Sequence, residues 1–142
     1  MKIDHINIVV RDLDTAADFF ADIGFEVIKR DQLEGQWIDQ IVDLRGVKAE
    51  FIAMAIPGAE TKLELIRYDA PAGTGDPLIG QANQIGLRHL AFEVKGIEGI
   101  VAKLKSKNVT FLSDIQVYNV TKKLCYFYGP EGILLELAEY SK

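Results

Sequence analysis

Two histidines and two glutamates occupy matching places in the two halves of the chain. When "IDHINIVV" is aligned without a gap on "LRHLAFEV", His5 falls on His89, and these are the two histidines of the sequence. A Leu-Glu-Leu triplet also occurs twice, centred on Glu64 and on Glu136. Imidazole and carboxylate groups can bind a divalent ion or move a proton. The repetition makes these four residues the first candidates for chemistry.

Each of the four residues has an ordinary structural explanation when it is taken alone. A histidine on a strand is more often structural than a ligand, and a glutamate on an exposed strand face is usually just solvated. The four residues, however, form two equivalent pairs in a repeated unit. That repetition favours a functional site over four unrelated surface residues.

The hydrophobic pattern predicts the elements that carry the first pair. Strict alternation in "IDHINIVV" predicts a strand with Ile6 and His5 on opposite faces. Asp12 or Asp14 can cap the amphipathic helix that follows, and Gly24 ends it. Four segments with a period of two come next, "FEVIKRD", "WIDQIVDL", "VKAEFIAMAI" and "TKLELIRY". Turn signals separate them, as expected for strands.

The second half repeats this order. It predicts a strand at 87–94, a helix near 97–107, a strand around 110–112 and three further strands at "QVYN", "KKLCYFY" and "ILLELAEY". In both Leu-Glu-Leu strands the leucines point toward the helix layer and the glutamate points away. One histidine and one glutamate per unit therefore share the face opposite the helices.

The organisation that follows is one α+β domain over residues 1–142, built from two β-α-β-β-β modules. The first module spans about 1–69 and the second about 87–142. The segment "DAPAGTGDPLIGQANQIG" at about 70–86 is rich in Gly, Pro and Asp and has no sustained period, so it is the linker.

Composition excludes several classes of protein. A chain of 142 residues that is 49% hydrophobic can bury a real core, and a net charge of −5 does not suit a nucleic-acid partner. The single cysteine, Cys125, excludes an internal disulfide framework and a cysteine metal cluster. No apolar run approaches the roughly 20 residues of a membrane helix. We therefore expect a cytoplasmic protein with no membrane partner.

The motifs resemble those of the vicinal oxygen chelate superfamily. The resemblance lies in "DHINIVVRDL…FF…GFEV", "TKLEL", "LRHLAFEV" and "GPEGILLEL", and it spans nearly the whole chain. That superfamily includes glyoxalase I, methylmalonyl-CoA epimerase, extradiol dioxygenases and antibiotic-resistance proteins. It implies a fold in which two modules pair into a curved mixed sheet, an open half-barrel cup with helices outside and a divalent metal ion within. A homodimer is also the family expectation.

The resemblance implies a role for each candidate residue. The metal-ligand positions of the superfamily fall on His5, Glu64, His89 and Glu136, and the ion would be Zn, Ni, Co, Mn or Fe. Such an ion acts as a Lewis acid that stabilises an enediolate, and by resemblance Glu136 also moves the proton. Asn7 and Tyr68 are the expected substrate-binding residues. The implied function is a glyoxalase-like lyase or isomerase acting on a small 2-oxo or hydroxy-carbonyl compound or a thioester.

The chain differs from both glyoxalase I and the epimerase at positions that those enzymes use, so the resemblance does not identify the substrate. Glyoxalase I holds glutathione with an arginine and an asparagine where this chain has Val9 and Tyr68. The epimerase places a second catalytic carboxylate just before a Gly-Val pair that matches Gly46-Val47, but Leu-Arg stands there. Three nearby carboxylates could substitute: Asp39, Asp43 and Glu50.

Two other functions stay open. An extradiol-type dioxygenase would use Fe(II) on His5, His89 and Glu136, but Glu64 would then fill a coordination position that oxygen needs. A metal-free protein that binds a drug or another small molecule is the other alternative, although such superfamily members usually lack the ligand set.

Overall fold

The chain forms two compact units, each built on its own open sheet. The computed structural model describes residues 1–141. The units are Met1–Gly75 and Asp76–Lys142, and each contains one four-stranded mixed sheet. The α+β class and the repeated module are thus confirmed. Within the described residues, no helix is long and apolar enough to cross a membrane.

The first unit places the candidate residues on adjacent parallel strands. Its elements are β1 (His5–Val9), α1 (Leu13–Asp22), β2 (Glu26–Glu34), α2 (Gln36–Val42), β3 (Lys48–Ala55) and β4 (Lys62–Ala70). The sheet order is β1-β4-β3-β2, with β1 parallel to β4 and the other pairs antiparallel. The first strand of the module therefore lies against the last strand, which brings the His5 strand beside the Glu64 strand.

Helix α1 begins where the sequence predicts. The Asp12 carboxylate accepts a hydrogen bond from the backbone N–H of Thr15 at 2.9 Å, which satisfies one of the free donors of the first turn. That contact is the main reason why the pKa of Asp12 lies below its ordinary value. The helix then buries Leu13, Ala16, Ala17 and Phe20 against the sheet.

The segment "WIDQIVDL" is a helix and not a strand, so that prediction was wrong. Its apolar residues also fit helical spacing, because Ile38 and Val42 are four residues apart and pack together with Ala49 and Ile66. Asp43 ends α2 in the left-handed conformation, with φ of 54°. Alternation was misleading here because short apolar runs fit both periods. Ile66 and Glu64 share one face of β4, and α2 packs on Ile66. The prediction that Glu64 lies on the face opposite the helices was therefore wrong for this unit, because α2 covers that face.

The described residues of the second unit repeat the module without a counterpart of α2. Its elements are β5 (His89–Glu93), α3 (Ile97–Ser106), β6 (Gln116–Tyr118), β7 (Lys122–Tyr128) and β8 (Leu134–Tyr140), with a short 3-10 turn at Pro130–Gly132. The sheet order is β5-β8-β7-β6. The predicted strand at 110–112 is absent from the described structure, where Phe111 makes only an isolated bridge to Phe127.

The core of the second unit confirms the predicted facing of its last strand. Leu135 and Leu137 are at most 1% exposed, and α3 packs on β8 through its buried face. Cys125 is a free, buried thiol, as expected, and its burial raises the pKa of that thiol.

Candidate metal and proton-transfer site

The second unit brings His89 and Glu136 into direct contact. Strands β5 and β8 are parallel neighbours, with His89 opposite Leu134 and Ala91 opposite Glu136. Imidazole Nε2 lies 3.1 Å from carboxylate Oε2. The residue Glu136 is only 4% exposed, although its strand position faces away from the leucine side chains that form the core. A buried carboxylate beside an imidazole is suited to hold a cation or to move a proton.

A third charged group completes this cluster. The Lys122 ammonium on β7 lies 3.1 Å from Glu136 Oε1, and the same nitrogen atom lies 5.3 Å from the centre of the Tyr140 ring. Glu136 is the main cause that raises the pKa of Lys122, while burial of the lysine acts in the opposite direction. Among the described residues, no donor meets Oε1 in hydrogen-bond geometry, so the close neighbour of that oxygen is the ionic contact with Lys122.

An aromatic ring limits the movement of the imidazole. Tyr126 is directly opposite Glu136 in the β7–β8 register. Its ring centre lies 5.0 Å from that of His89, at an interplanar angle of 41°. Because the ring packs beside the imidazole, it restricts rotation of His89 away from the carboxylate. The His89 cluster, as we call His89, Lys122, Tyr126 and Glu136, is thus held from three strands.

The first unit arranges its pair differently. His5 is opposite Lys62 in the β1–β4 register, and Asn7 is opposite Glu64. The Asn7 side-chain amide donates to Glu64 Oε1 at 2.9 Å. The predicted substrate residue Asn7 therefore contacts the predicted ligand Glu64, and both lie on the partly open face of the sheet.

His5 has a carboxylate neighbour of its own. Its Nδ1 lies 2.8 Å from Asp4 Oδ2, where an Nδ1–H group donates to the carboxylate. That contact is the largest cause that lowers the pKa of Asp4, ahead of the charge of Lys62. A histidine whose Nδ1–H is held by a carboxylate presents Nε2 as a lone-pair donor, which is the usual arrangement of a metal-binding imidazole.

The residues present are chemically suited to a divalent ion. Each unit contains one imidazole and one carboxylate, and Asp4 orients His5. In the part of the chain that the structure describes, no three His, Cys, Asp or Glu side chains meet in a metal-binding group. The four-residue ligand set His5, Glu64, His89 and Glu136 therefore stays a prediction.

The other predicted substrate residue has a packing contact. Tyr68 lies against the hydrophobic cluster of Ile38, Val47, Ala49 and Ile66 beneath α2. Tyr68 is four residues after Glu64 on β4, so the two side chains are on the same face of the strand. A substrate role for Tyr68 also stays a prediction.

The three substitute carboxylates have distinct surroundings. Asp39 accepts hydrogen bonds from the backbone N–H groups of Gly46 and Val47, both at 2.8 Å, and so closes the loop after α2. Glu50 is 9% exposed and accepts hydrogen bonds from Arg30 and Arg67. Both carboxylates are thus engaged in holding the fold. Asp43 is the exposed member of the three.

Three residues near the second pair were not predicted from the sequence. Lys122 and Tyr126 share one face of β7, because Cys125 and Phe127 are buried on the other face. That alternation in "KKLCYFY" was a usable signal. Arg88 gave no signal. Its Nε and Nη1 atoms are buried and have no hydrogen-bond partner among the described residues.

Comparison with known proteins identifies the family. Residues 2–137 match the Glyoxalase/Bleomycin resistance protein/Dioxygenase superfamily, and the chain belongs to it. It is 30% identical to the mitochondrial methylmalonyl-CoA epimerase of Homo sapiens, over 97% of this chain and 73% of that protein. It is 29% identical to a 2-epi-5-epi-valiolone epimerase of an Actinomyces species, over 96% and 78%.

A solved structure agrees with the fold throughout. A glyoxalase family protein from Bacillus cereus superposes with a TM-score of 0.94, at 30% identity, over 100% of this chain and 95% of that one. The chain is thus similar to epimerases in sequence and to a glyoxalase family protein in structure.

Proposed function

We propose that this chain is a metal-dependent lyase or isomerase of the glyoxalase and epimerase type. Its substrate would be a small 2-oxo or hydroxy-carbonyl compound or an acyl thioester. The ligands of the ion would be His5, Glu64, His89 and Glu136. The similarity to two epimerases supports the reaction class, because an epimerase must remove a proton from carbon and return it.

One observation carries the proposal, namely the buried contact between His89 and Glu136. A carboxylate that is 4% exposed and 3.1 Å from an imidazole is shielded from water and fixed in direction. Positioned acid-base groups of this kind contribute about 10²–10⁴-fold to proton-transfer reactions. A solvated surface glutamate would show neither feature.

The residues of the chain have separable tasks in this reaction. Glu136 takes the proton from the carbon next to the substrate carbonyl and returns it. Tyr126 restricts the imidazole of His89, and His89 in turn fixes the direction of the Glu136 carboxylate. Little reorganisation is then needed during the proton transfer. Asn7 orients Glu64 through its amide. A bound divalent ion would supply Lewis-acid stabilisation of the enediolate charge.

Solvent exchange tests the reaction class without requiring the final product. Methylmalonyl-CoA and 2-oxoaldehydes, the latter with and without glutathione, are incubated with the protein in D₂O in the presence of Ni²⁺, Zn²⁺, Co²⁺, Mn²⁺ or Fe²⁺. We expect deuterium to enter at the carbon next to the carbonyl, as followed by NMR. Glu136→Gln should abolish this exchange.

Glu93→Gln is the matched control. Glu93 is an exposed carboxylate on the same strand as His89, so its loss should leave the exchange rate unchanged. Exchange that is equally fast in the Glu136 and Glu93 variants would overturn the assignment of Glu136. Metal content per chain, measured by plasma mass spectrometry, tests the ligand set separately.

The second candidate is a metal-free protein that binds a small molecule, and Lys122 favours it. Its contact with Glu136 compensates the buried carboxylate without any ion. This candidate predicts a protein that binds no divalent ion tightly and supports no deuterium exchange.

A further inference from the structure

Lys122 places a positive charge directly against the buried carboxylate of Glu136. Nζ lies 3.1 Å from Oε1, and the lysine side chain is 24% exposed. A divalent ion bound to Glu136 would bring a second positive charge to the same carboxylate. Two cations this close together in a partly buried site repel each other, so each weakens the contact that the other makes with the carboxylate.

We propose that Lys122 is the resident counter-ion of Glu136 and competes with the divalent ion, so that metal binding exchanges one cation for the other. This inference rests on the proposed metal site. The Tyr140 ring, whose centre is 5.3 Å from Nζ, gives the released ammonium a second favourable neighbour. The lysine therefore lowers metal affinity while it stabilises the metal-free protein.

The first unit shows that this lysine does not follow from the repeat. Lys122 is opposite Tyr140 in the second unit, and the corresponding position in the first unit, opposite Tyr68, is Ala49. An alanine carries no charge, and the neutral amide of Asn7 contacts Glu64 instead. The competing cation is therefore a feature of the Glu136 site and not of the repeated module.

Metal affinity of two neighbouring lysine variants tests the proposal. Lys122→Met removes the competitor. Lys123→Met is the matched control, because Lys123 is next to it on β7 and also has an ion pair, with Glu98. Dissociation constants for Ni²⁺ and Zn²⁺ are measured by calorimetric titration of the full chain. We expect Lys122→Met to bind each ion about tenfold more tightly than the unmodified protein and Lys123→Met to match the unmodified protein.

A second readout needs no metal. Without added ions, Lys122→Met should lower the melting temperature more than Lys123→Met does, because it leaves Glu136 buried without its cation.

In a Glu136→Gln background, Lys122→Met should no longer tighten metal binding, because the shared carboxylate charge is gone.

The outcomes separate the exchange from the metal site itself. Equal or weaker metal binding by Lys122→Met, in a protein that does bind metal, overturns the exchange and leaves the metal site standing. Absence of binding by the unmodified protein and by both lysine variants overturns the metal site and the exchange together.

Discussion

The two units carry the same pair of residues in different electrostatic surroundings. In the first unit Glu64 is partly exposed and accepts a neutral hydrogen bond from Asn7. In the second unit Glu136 is 4% exposed and lies between an imidazole and an ammonium. A repeat thus preserves the strand positions, while single substitutions on neighbouring strands decide which charged or neutral groups surround each carboxylate.

The difference suggests a division of labour between the two carboxylates. The buried carboxylate has the stronger and more directional contacts, which suits the movement of a proton. The open one has the freedom to turn toward a ligand. We therefore expect equivalent substitutions in the two units to have unequal effects.

The largest effect should come from Glu136→Gln compared with Glu64→Gln. Glu136→Gln should reduce the deuterium-exchange rate by about 10²–10⁴-fold even when metal is saturating, because it removes the proposed proton acceptor. Glu64→Gln should act chiefly by weakening metal binding, so saturating metal should restore much of the rate. Rates at a series of metal concentrations distinguish the two. Identical, metal-insensitive losses would contradict the division of labour.

Equivalent core leucines should instead have equal effects. Leu65 is 0% exposed and Leu137 is 1% exposed, at matching places beside the two glutamates. Each Leu→Ala change should lower the free energy of unfolding by about 2–5 kcal/mol, because it leaves a cavity. Urea unfolding measures the loss, and hydrogen exchange locates it. We expect weakened amide protection to be strongest in the unit that carries the change, whereas protection lost equally in both units would count against two separate cores.

Substitutions at the equivalent positions 4 and 88 should change the free energy of unfolding in opposite directions. Asp4 is paired with His5 and Lys62, whereas Arg88 has two buried nitrogen atoms without a partner among the described residues. Arg88→Met should raise the free energy of unfolding by about 1–3 kcal/mol, because it removes unsatisfied buried donors. Asp4→Asn should lower stability slightly. A destabilised Arg88→Met protein in urea unfolding would mean that these donors are satisfied in solution.

The smallest effect concerns the first turn of helix α1. Asp12 caps α1 from within its own segment, and its pKa is lowered by the Thr15 N–H. Because the folded pKa is below the ordinary value of 3.8, this contribution is complete above that pH and is lost as the pH falls through the folded pKa. Asp12→Ala should therefore melt a few degrees lower at neutral pH. The difference should shrink in strong acid.

Asp12→Asn provides the control, since an amide can cap the helix without titrating. Its melting temperature should lie between those of the unmodified protein and Asp12→Ala at neutral pH. A gap between Asp12→Ala and the unmodified protein that is constant from neutral to strongly acidic pH would show that the carboxylate charge contributes nothing to the cap.

The sequence was enough to predict the features that depend on local chemistry and periodicity. It predicted the module, the repeat, a helix cap at Asp12 or Asp14, and the facing of the second Leu-Glu-Leu strand. Each of these follows from spacing within one segment, where side-chain direction is fixed by the backbone. The family also followed from these motifs, because they recur over nearly the whole chain.

Which charged groups meet depends on how the strands and helices pack. Helix α3 has no side-chain cap of its own, and its Gly96 N–H donates instead to Glu139 on the last strand. Lys122 meets Glu136 although the two lie on different strands, and α2 is a helix because Ile38 finds a surface to cover. These contacts depend on sheet register and on burial, which join segments far apart in the chain. The alternation in "KKLCYFY" indicates on which face of its strand Lys122 lies, but it does not indicate which carboxylate Lys122 meets, so the folded structure is needed to reveal the contact.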